Sequence, residues 1–224
     1  NERSPCIAVP APGLVVRWPP AITANTGLDV LTHALEAYVS PKASDFTDAL
    51  AEKAAQLVFH YLPVAVSNGE CLATRGKMHN VATLAGMACS QSGLGIYHAI
   101  AHQLGGQFHL PHGLANALLL TAVIRFNAKD KRAARRYARL AKACHFCPST
   151  ANEQVAVNAL VRQVEQLKKQ CNIPSFSNAL KTTTHNFRER IPLMAEAALA
   201  DATIKTTPRP ADASAIRHLL EELL

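Results

Sequence analysis

The sequence predicts an all-α fold, and three observations predict it. Apolar residues recur at three- and four-residue spacing in successive stretches, and no segment alternates apolar and polar residues as a half-buried strand would. Capping residues, Pro and Gly also punctuate the chain at intervals that suit helices. With 224 residues, 49% of them apolar, the chain can bury a large core. No internal repeat is evident.

The elements follow in order. Residues 5–20, PCIAVPAPGLVVRWPP, hold too many Pro and Gly for a central strand and predict an irregular or extended lead. The expected division is therefore a lead over 1–18 and a helical domain over 19–224. From about 27 to 39, Val30, Leu31, Ala34, Leu35 and Tyr38 mark one helical face, and Pro41 ends it. Ser44 is a good N-cap for a second helix, with Asp45 and Asp48 favourably placed in its first turn. Its expected apolar side is Phe46, Leu50, Ala54, Leu57, Val58 and Tyr61, and Pro63 is expected to break or kink it. Further helical patterns cover about 70–91, 94–104, 112–127, 130–144, 151–171, 189–200 and 211–223, with turns at SNGE, GLG, LGGQ, CPST and NIPS.

Charge and cysteine content narrow the function classes. The net charge is +7, and much of the excess is local: from Arg125 to Lys142 there are eight basic side chains and one acid, Asp130. Tyr137, Leu140, Ala141 and Cys144 fall on one face of that stretch, so it reads as an amphipathic surface helix with a solvated basic side. No recognition motif or interleaved aromatics accompany the charge, and no nucleic-acid partner is expected. No apolar run approaches the roughly 18–20 residues that span a bilayer. The opening NERSPCIAVPAPG lacks the layout of a secretory signal, which places the expected location in the cytoplasm with no membrane partner. Six cysteines scattered through a domain of this size predict free thiols, and CHFC at 144–147 lacks the second pair that a zinc site needs.

The histidines are not scattered. Of ten in the chain, His98, His102, His109 and His112 fall within GIYHAIAHQLGGQFHLPHG, residues 95–113. His98 and His102 are one helical turn apart and share a face, and Asp29 and His33 repeat that spacing upstream. Both pairs lie in mainly apolar helices, where buried imidazoles and a carboxylate are costly unless something satisfies them, and a divalent metal does so. A continuous helix from His98 to His112 would separate them by about 21 Å. Gly105 and Gly106 are expected to interrupt it and Pro111 to start another helix, folding His112 back toward His98. The result is a candidate site of one carboxylate and two or three imidazoles, suited to ferrous iron, zinc, cobalt or nickel. Spacing alone favours His98 with His102 as the chelating pair. His109 is expected at the pocket mouth or in solvent, and His60, His79, His145, His185 and His218 have no ligand-spaced company.

The segments TGLDVLTHALEAYVS, SGLGIYHAIAHQLGG and LPHGLANALLL resemble those of the iron-containing (group III) alcohol dehydrogenases. The likeness runs over roughly 18–224, including NIPSFSNAL and the tail DATIKTTPRPA, in which Thr207 stands where the family usually has Asn. Such proteins pair an N-terminal α/β domain that binds NAD(P) with a C-terminal helical domain that carries the metal, and this chain resembles the second.

The resemblance implies Asp29, His33, His98 and His112 as ligands of Fe(II), or of zinc or another divalent metal. It places His102 by the nicotinamide and substrate, as the group that moves the hydroxyl proton. It further implies a primary alcohol or aldehyde substrate, a metal acting as Lewis acid on the alcohol oxygen, hydride transfer to NAD(P), and a homo-oligomer such as a dimer. No glycine-rich phosphate cradle follows a strand in these residues, so the expected chain is the metal-binding domain without its cofactor domain, with 1–18 as the link. The alternative is a non-catalytic helical module that binds metal without turnover.

Overall fold

A computed structural model describes residues 9–224, and among them every regular element is helical. The first eight residues of the expected lead, with Cys6, lie outside the described residues. From Val9 onward the lead holds one short turn of 3-10 helix, Pro12–Val15, before α1 (Pro20–Val39) begins. This helix starts seven residues earlier than its apolar pattern, because Pro20 at the first helical position needs no N–H partner and presets φ.

Ser44 caps α2 (Asp45–Ser67) as expected, and Thr47 completes a reciprocal capping box. Two expectations for α2 need correcting. Pro63 does not break it, and the helix runs four residues beyond. Its buried stripe is Thr47, Ala51, Ala54, Ala55, Val58, Leu62 and Ala65, whereas Phe46 is 81% exposed. The stripe rotates toward the alanines because α2 packs closely against α1, where Leu62 fills the space over Gly27 that a Cβ would occupy.

The chain continues through α3 (Leu72–Ser92), α4 (Ile96–Phe108), α5 (His112–Asn127), α6 (Lys131–Ala143) and α7 (Glu153–Gln170). A single turn, α8 (Phe176–Ala179), then precedes α9 (Thr184–Ala200), a 3-10 stretch at Ala202–Thr206, and α10 (Ala213–Glu221). Helix α9 begins five residues before the expected 189, where Thr183 accepts the Asn186 N–H, and it carries Pro192 inside. Helices α6, α7 and α10 are capped by Asp130, Asn152 and Asp212.

Helix α1 is the centre. It packs on α2 and α3 on one side and on α5 and α6 on the other, while α4 lies across α5 and α9. Leu28, Leu31 and Leu35 are fully buried, and each such side chain contributes roughly 1.5–3 kcal/mol through burial. Polar ties hold the layers in register: Ser40 Oγ donates to the Ser92 carbonyl at 2.6 Å, and the Tyr97 hydroxyl donates to the Leu120 carbonyl at 3.0 Å.

Gly105 and Gly106 do not interrupt α4, which runs on to Phe108. The reversal falls instead at His109, whose φ of 53° gives the left-handed cap usually left to Gly, and its N–H closes onto the Gly105 carbonyl. Three residues later α5 starts and heads back along α4. His109 itself is exposed.

Cys71, Cys89, Cys144, Cys147 and Cys171 are free thiols. Among the described residues no helix is long and apolar enough to cross a membrane.

Candidate metal centre

Three helices bring the site together. Helix α1 presents Asp29, His33 and Glu36 at successive turns of one face, α4 presents His98 and His102 from its first two turns, and α5 presents His112 and Asn116. Gly113 permits the last approach: a Cβ there would lie 2.4 Å from the Asn25 carbonyl oxygen of α1.

A carboxylate oxygen of Asp29 and ring nitrogens of His33 and His98 all lie within 4.8 Å of one another. The Nε2 atoms of His33 and His98 are 3.1 Å apart, with the rings stacked at 4.8 Å between centroids. The His98 Nε2 stands 3.9 Å from Asp29 Oδ1. His112 completes the fourth side, its Nε2 3.6 Å from the same oxygen. The four residues singled out in the sequence thus converge from α1, α4 and α5.

His102 does not converge with them. Its ring centroid is 6.1 Å from that of His98, and its Nδ1 turns away to Asp201 Oδ2 at 2.7 Å. The chelating pair that spacing alone favours, His98 with His102, is therefore not what the fold assembles. Side chains one turn apart share a face, but the nearest nitrogen to His98 comes from another helix. His60, His109, His145, His185 and His218 are exposed, and His79 is half-buried on α3 beside a cavity of about 380 Å³ that contains none of the site residues.

Burial and neighbouring carboxylates compete over the protonation of the ligand-spaced rings. Desolvation holds His33 and His112 below the ordinary histidine value even though the Asp29 charge pulls each up, which favours the neutral form that a cation needs. His98 is desolvated too, but the hydrogen bond and charge of Glu36, with Asp29 and Asp201 behind it, outweigh that and raise its pKa. For Asp201, burial pulls upward, but its hydrogen bonds with His102 and from the Thr203 N–H pull further down, leaving the carboxyl below its usual range.

Three further residues belong to the site and escape sequence reading. Glu36 is 3% exposed, accepting the Tyr97 N–H at 2.9 Å through Oε1 and meeting His98 Nδ1 at 2.6 Å through Oε2. Extending the Asp29–His33 pair by three residues along the same face would have found it. Asn116 donates to Asp29 Oδ1 at 2.7 Å and lies 3.2 Å from His112 Nε2, and its buried Oδ1 has no hydrogen-bond partner among the described residues. Its place four residues after His112 was the available signal. Asp201 is 99 residues from His102 and carried none. The buried Thr207 Oγ1 likewise has no partner among the described residues.

A carboxylate, two stacked imidazoles whose Nε2 atoms face each other, a third imidazole opposite and an under-satisfied amide form a donor set that fits a first-row divalent cation.

Comparison with known proteins identifies the family. Residues 23–224 match the model of the Fe-containing alcohol dehydrogenase family, C-terminal. The chain is 72% identical over its whole length to 1-propanol dehydrogenase PduQ of Citrobacter freundii and 70% identical to that of Salmonella typhimurium, covering 60% of each. It thus spans about three fifths of the length of these curated relatives. Among solved structures, a 1,3-propanediol oxidoreductase superposes with a TM-score of 0.89 at 35% identity, over 95% of this chain and 54% of that one. An iron-containing alcohol dehydrogenase from Thermococcus thioreducens does so with a TM-score of 0.87 at 32% identity, over 98% and 55%. With the family model matched over nearly the whole chain and the helical fold shared with these structures, the chain belongs to the iron-containing alcohol dehydrogenase family, of which it forms the C-terminal helical domain.

Proposed function

We propose that this chain is the metal-binding, proton-handling part of an NAD(P)-linked alcohol dehydrogenase that interconverts a short primary alcohol and its aldehyde. The observation that carries the reading is the convergence of Asp29, His33 and His98 ligand atoms within 4.8 Å, with His112 on the open side. Asp29, His33, His98 and His112 hold one divalent cation, Fe(II) in the first instance and zinc as the substitute. When bound, that cation supplies a Lewis acid that lowers the pKa of an alcohol hydroxyl and so favours hydride loss to the nicotinamide.

His102 handles the proton. Its side chain is 42% exposed, and Asp201 holds Nδ1, so the free ring edge is left to accept a hydroxyl proton and pass it to water. The neighbouring His112 ring, 5.6 Å away and nearly parallel, keeps His102 beside the ligand set. The apolar faces of α1, α4 and α5 favour a small aliphatic substrate, in keeping with relatives named for 1-propanol. The protein is read as cytoplasmic and homo-oligomeric, with the nicotinamide bound mainly by residues outside these helices.

Metal analysis after anaerobic Fe(II) reconstitution tests the reading. One ion per chain is expected, lost in Asp29→Ala, His98→Ala and His112→Ala and retained in His102→Ala. A protein that takes up no cation, or loses it with His102 alone, overturns the assignment. Full metal binding with no NADH binding and no turnover of 1-propanol would favour the non-catalytic module.

A further inference from the structure

We infer that Glu36 is a positioning residue that locks His98 in its Nδ1–H tautomer and thereby keeps the Nε2 lone pair turned toward Asp29 and His33. The inference rests on reading the site as a metal centre, and it assigns a role to a residue outside the ligand set.

Glu36 is a carboxylate 3% exposed, and among the described residues no Lys or Arg pairs with it. A buried anion without a cationic partner is costly unless donors surround it. Here both donors come from the first turn of α4. The Tyr97 N–H, one of the four left over at any helix start, reaches Oε1 at 2.9 Å, and His98 Nδ1 meets Oε2 at 2.6 Å. The positive end of the α4 dipole adds to the fit. Gly95, the residue that caps this helix, leaves the space: a Cβ there would stand 3.0 Å from Oε1. The carboxylate therefore occupies a shaped cradle built by another helix.

The chemistry follows from counting protons. An ionised carboxylate only accepts, so the nitrogen facing it must carry the hydrogen. A neutral imidazole has one N–H, so with Nδ1 protonated the lone pair sits on Nε2. That Nε2 is the atom 3.1 Å from His33 Nε2 and 3.9 Å from Asp29 Oδ1. Glu36 thus decides at a distance which His98 nitrogen can donate its electrons to a cation, the part that a carboxylate behind a ligating histidine plays elsewhere.

Glu36→Gln separates this role from mere packing. The glutamine oxygen can keep the Tyr97 N–H, but its amide then presents N–H groups to His98 Nδ1, which must become the acceptor. The ring proton moves to Nε2, where a cation needs the lone pair. Zn(II) affinity, measured with the metal alone, is expected to fall roughly 10–100-fold. Glu36→Asp, which restores a carboxylate, should recover part of it. Histidine-labelled 15N spectra of the metal-free protein should show His98 as Nδ1–H in the wild type and Nε2–H in Glu36→Gln. Wild-type Zn(II) affinity in Glu36→Gln, or an Nε2–H tautomer in the metal-free wild type, overturns the inference. If the wild type binds no Zn(II), the metal reading fails while the ring spectra still decide the tautomer, and if Glu36→Gln does not fold, the wild-type spectrum decides alone.

Discussion

Helices α1 and α6 both carry ionisable side chains at helical spacing, and the fold uses them in opposite ways. On α1, Asp29, His33 and Glu36 sit within a mainly apolar sequence, so the face that bears them is drawn into the protein and met by α4 and α5. On α6, Arg132, Arg135 and Arg139 are exposed, opposite an apolar face of Ala133, Tyr137, Leu140 and Ala141. Only Arg136 turns inward, bonding the Tyr38 carbonyl and Asp48 with its guanidinium 4.6 Å from the Tyr38 ring centroid. The number of charges does not make a site. A site forms where polar atoms of different helices must satisfy one another away from water.

Substitutions can break or sharpen this contrast. Leu35→Ala, at a fully buried position of α1, is expected to cost about 2–5 kcal/mol in urea unfolding. A loss below 1 kcal/mol would deny α1 its central place. Zn(II) at about 100 times its dissociation constant should add roughly 2.7 kcal/mol of stability by linkage. That gain should vanish in His33→Ala and survive in Arg135→Ala, with thermal shifts in the metal as the measurement; equal gains in both would erase the distinction between the helices.

Gly113→Val comes next, because its side chain would press on the Asn25 backbone and force α5 off α1. About 1–3 kcal/mol is expected, together with weaker metal binding as His112 withdraws. Arg136→Ala should cost about 1–2 kcal/mol through its lost charged hydrogen bonds. Arg135→Ala and Arg139→Ala should stay within about 0.5 kcal/mol. An affinity for duplex DNA that falls steeply with salt and disappears in the Arg135→Ala, Arg139→Ala double variant would instead make α6 a binding face.

Most helices were legible because their signals are local. Ser44 announces α2, and Tyr137, Leu140 and Ala141, with half-buried Cys144 just past its end, mark the inner side of α6. Where the expectation slipped, packing overrode a local sign. Pro63 and the Gly105–Gly106 pair lie inside helices that neighbouring elements hold together, and Ala51, Ala54 and Ala55 displace Phe46 from the buried face of α2 because small residues let α1 come close. The candidate cluster around Asp29, His33, His98 and His112 was legible because spacing and apolar surroundings are local too, but spacing alone favoured His98 with His102, and it was the family resemblance that pointed to the set of four.

The sequence by itself determined that the chain is helical, where most helices lie, and which residues could serve a cation, since periodicity, caps and residue chemistry are properties of neighbours along the chain. The tertiary structure alone decided that His98 faces His33 rather than His102, that Glu36 stands behind His98, and that Asp201 holds His102. Those pairings join residues 62 to 99 positions apart, and only the angles and separations at which α1, α4 and the turn after α9 pack can set them.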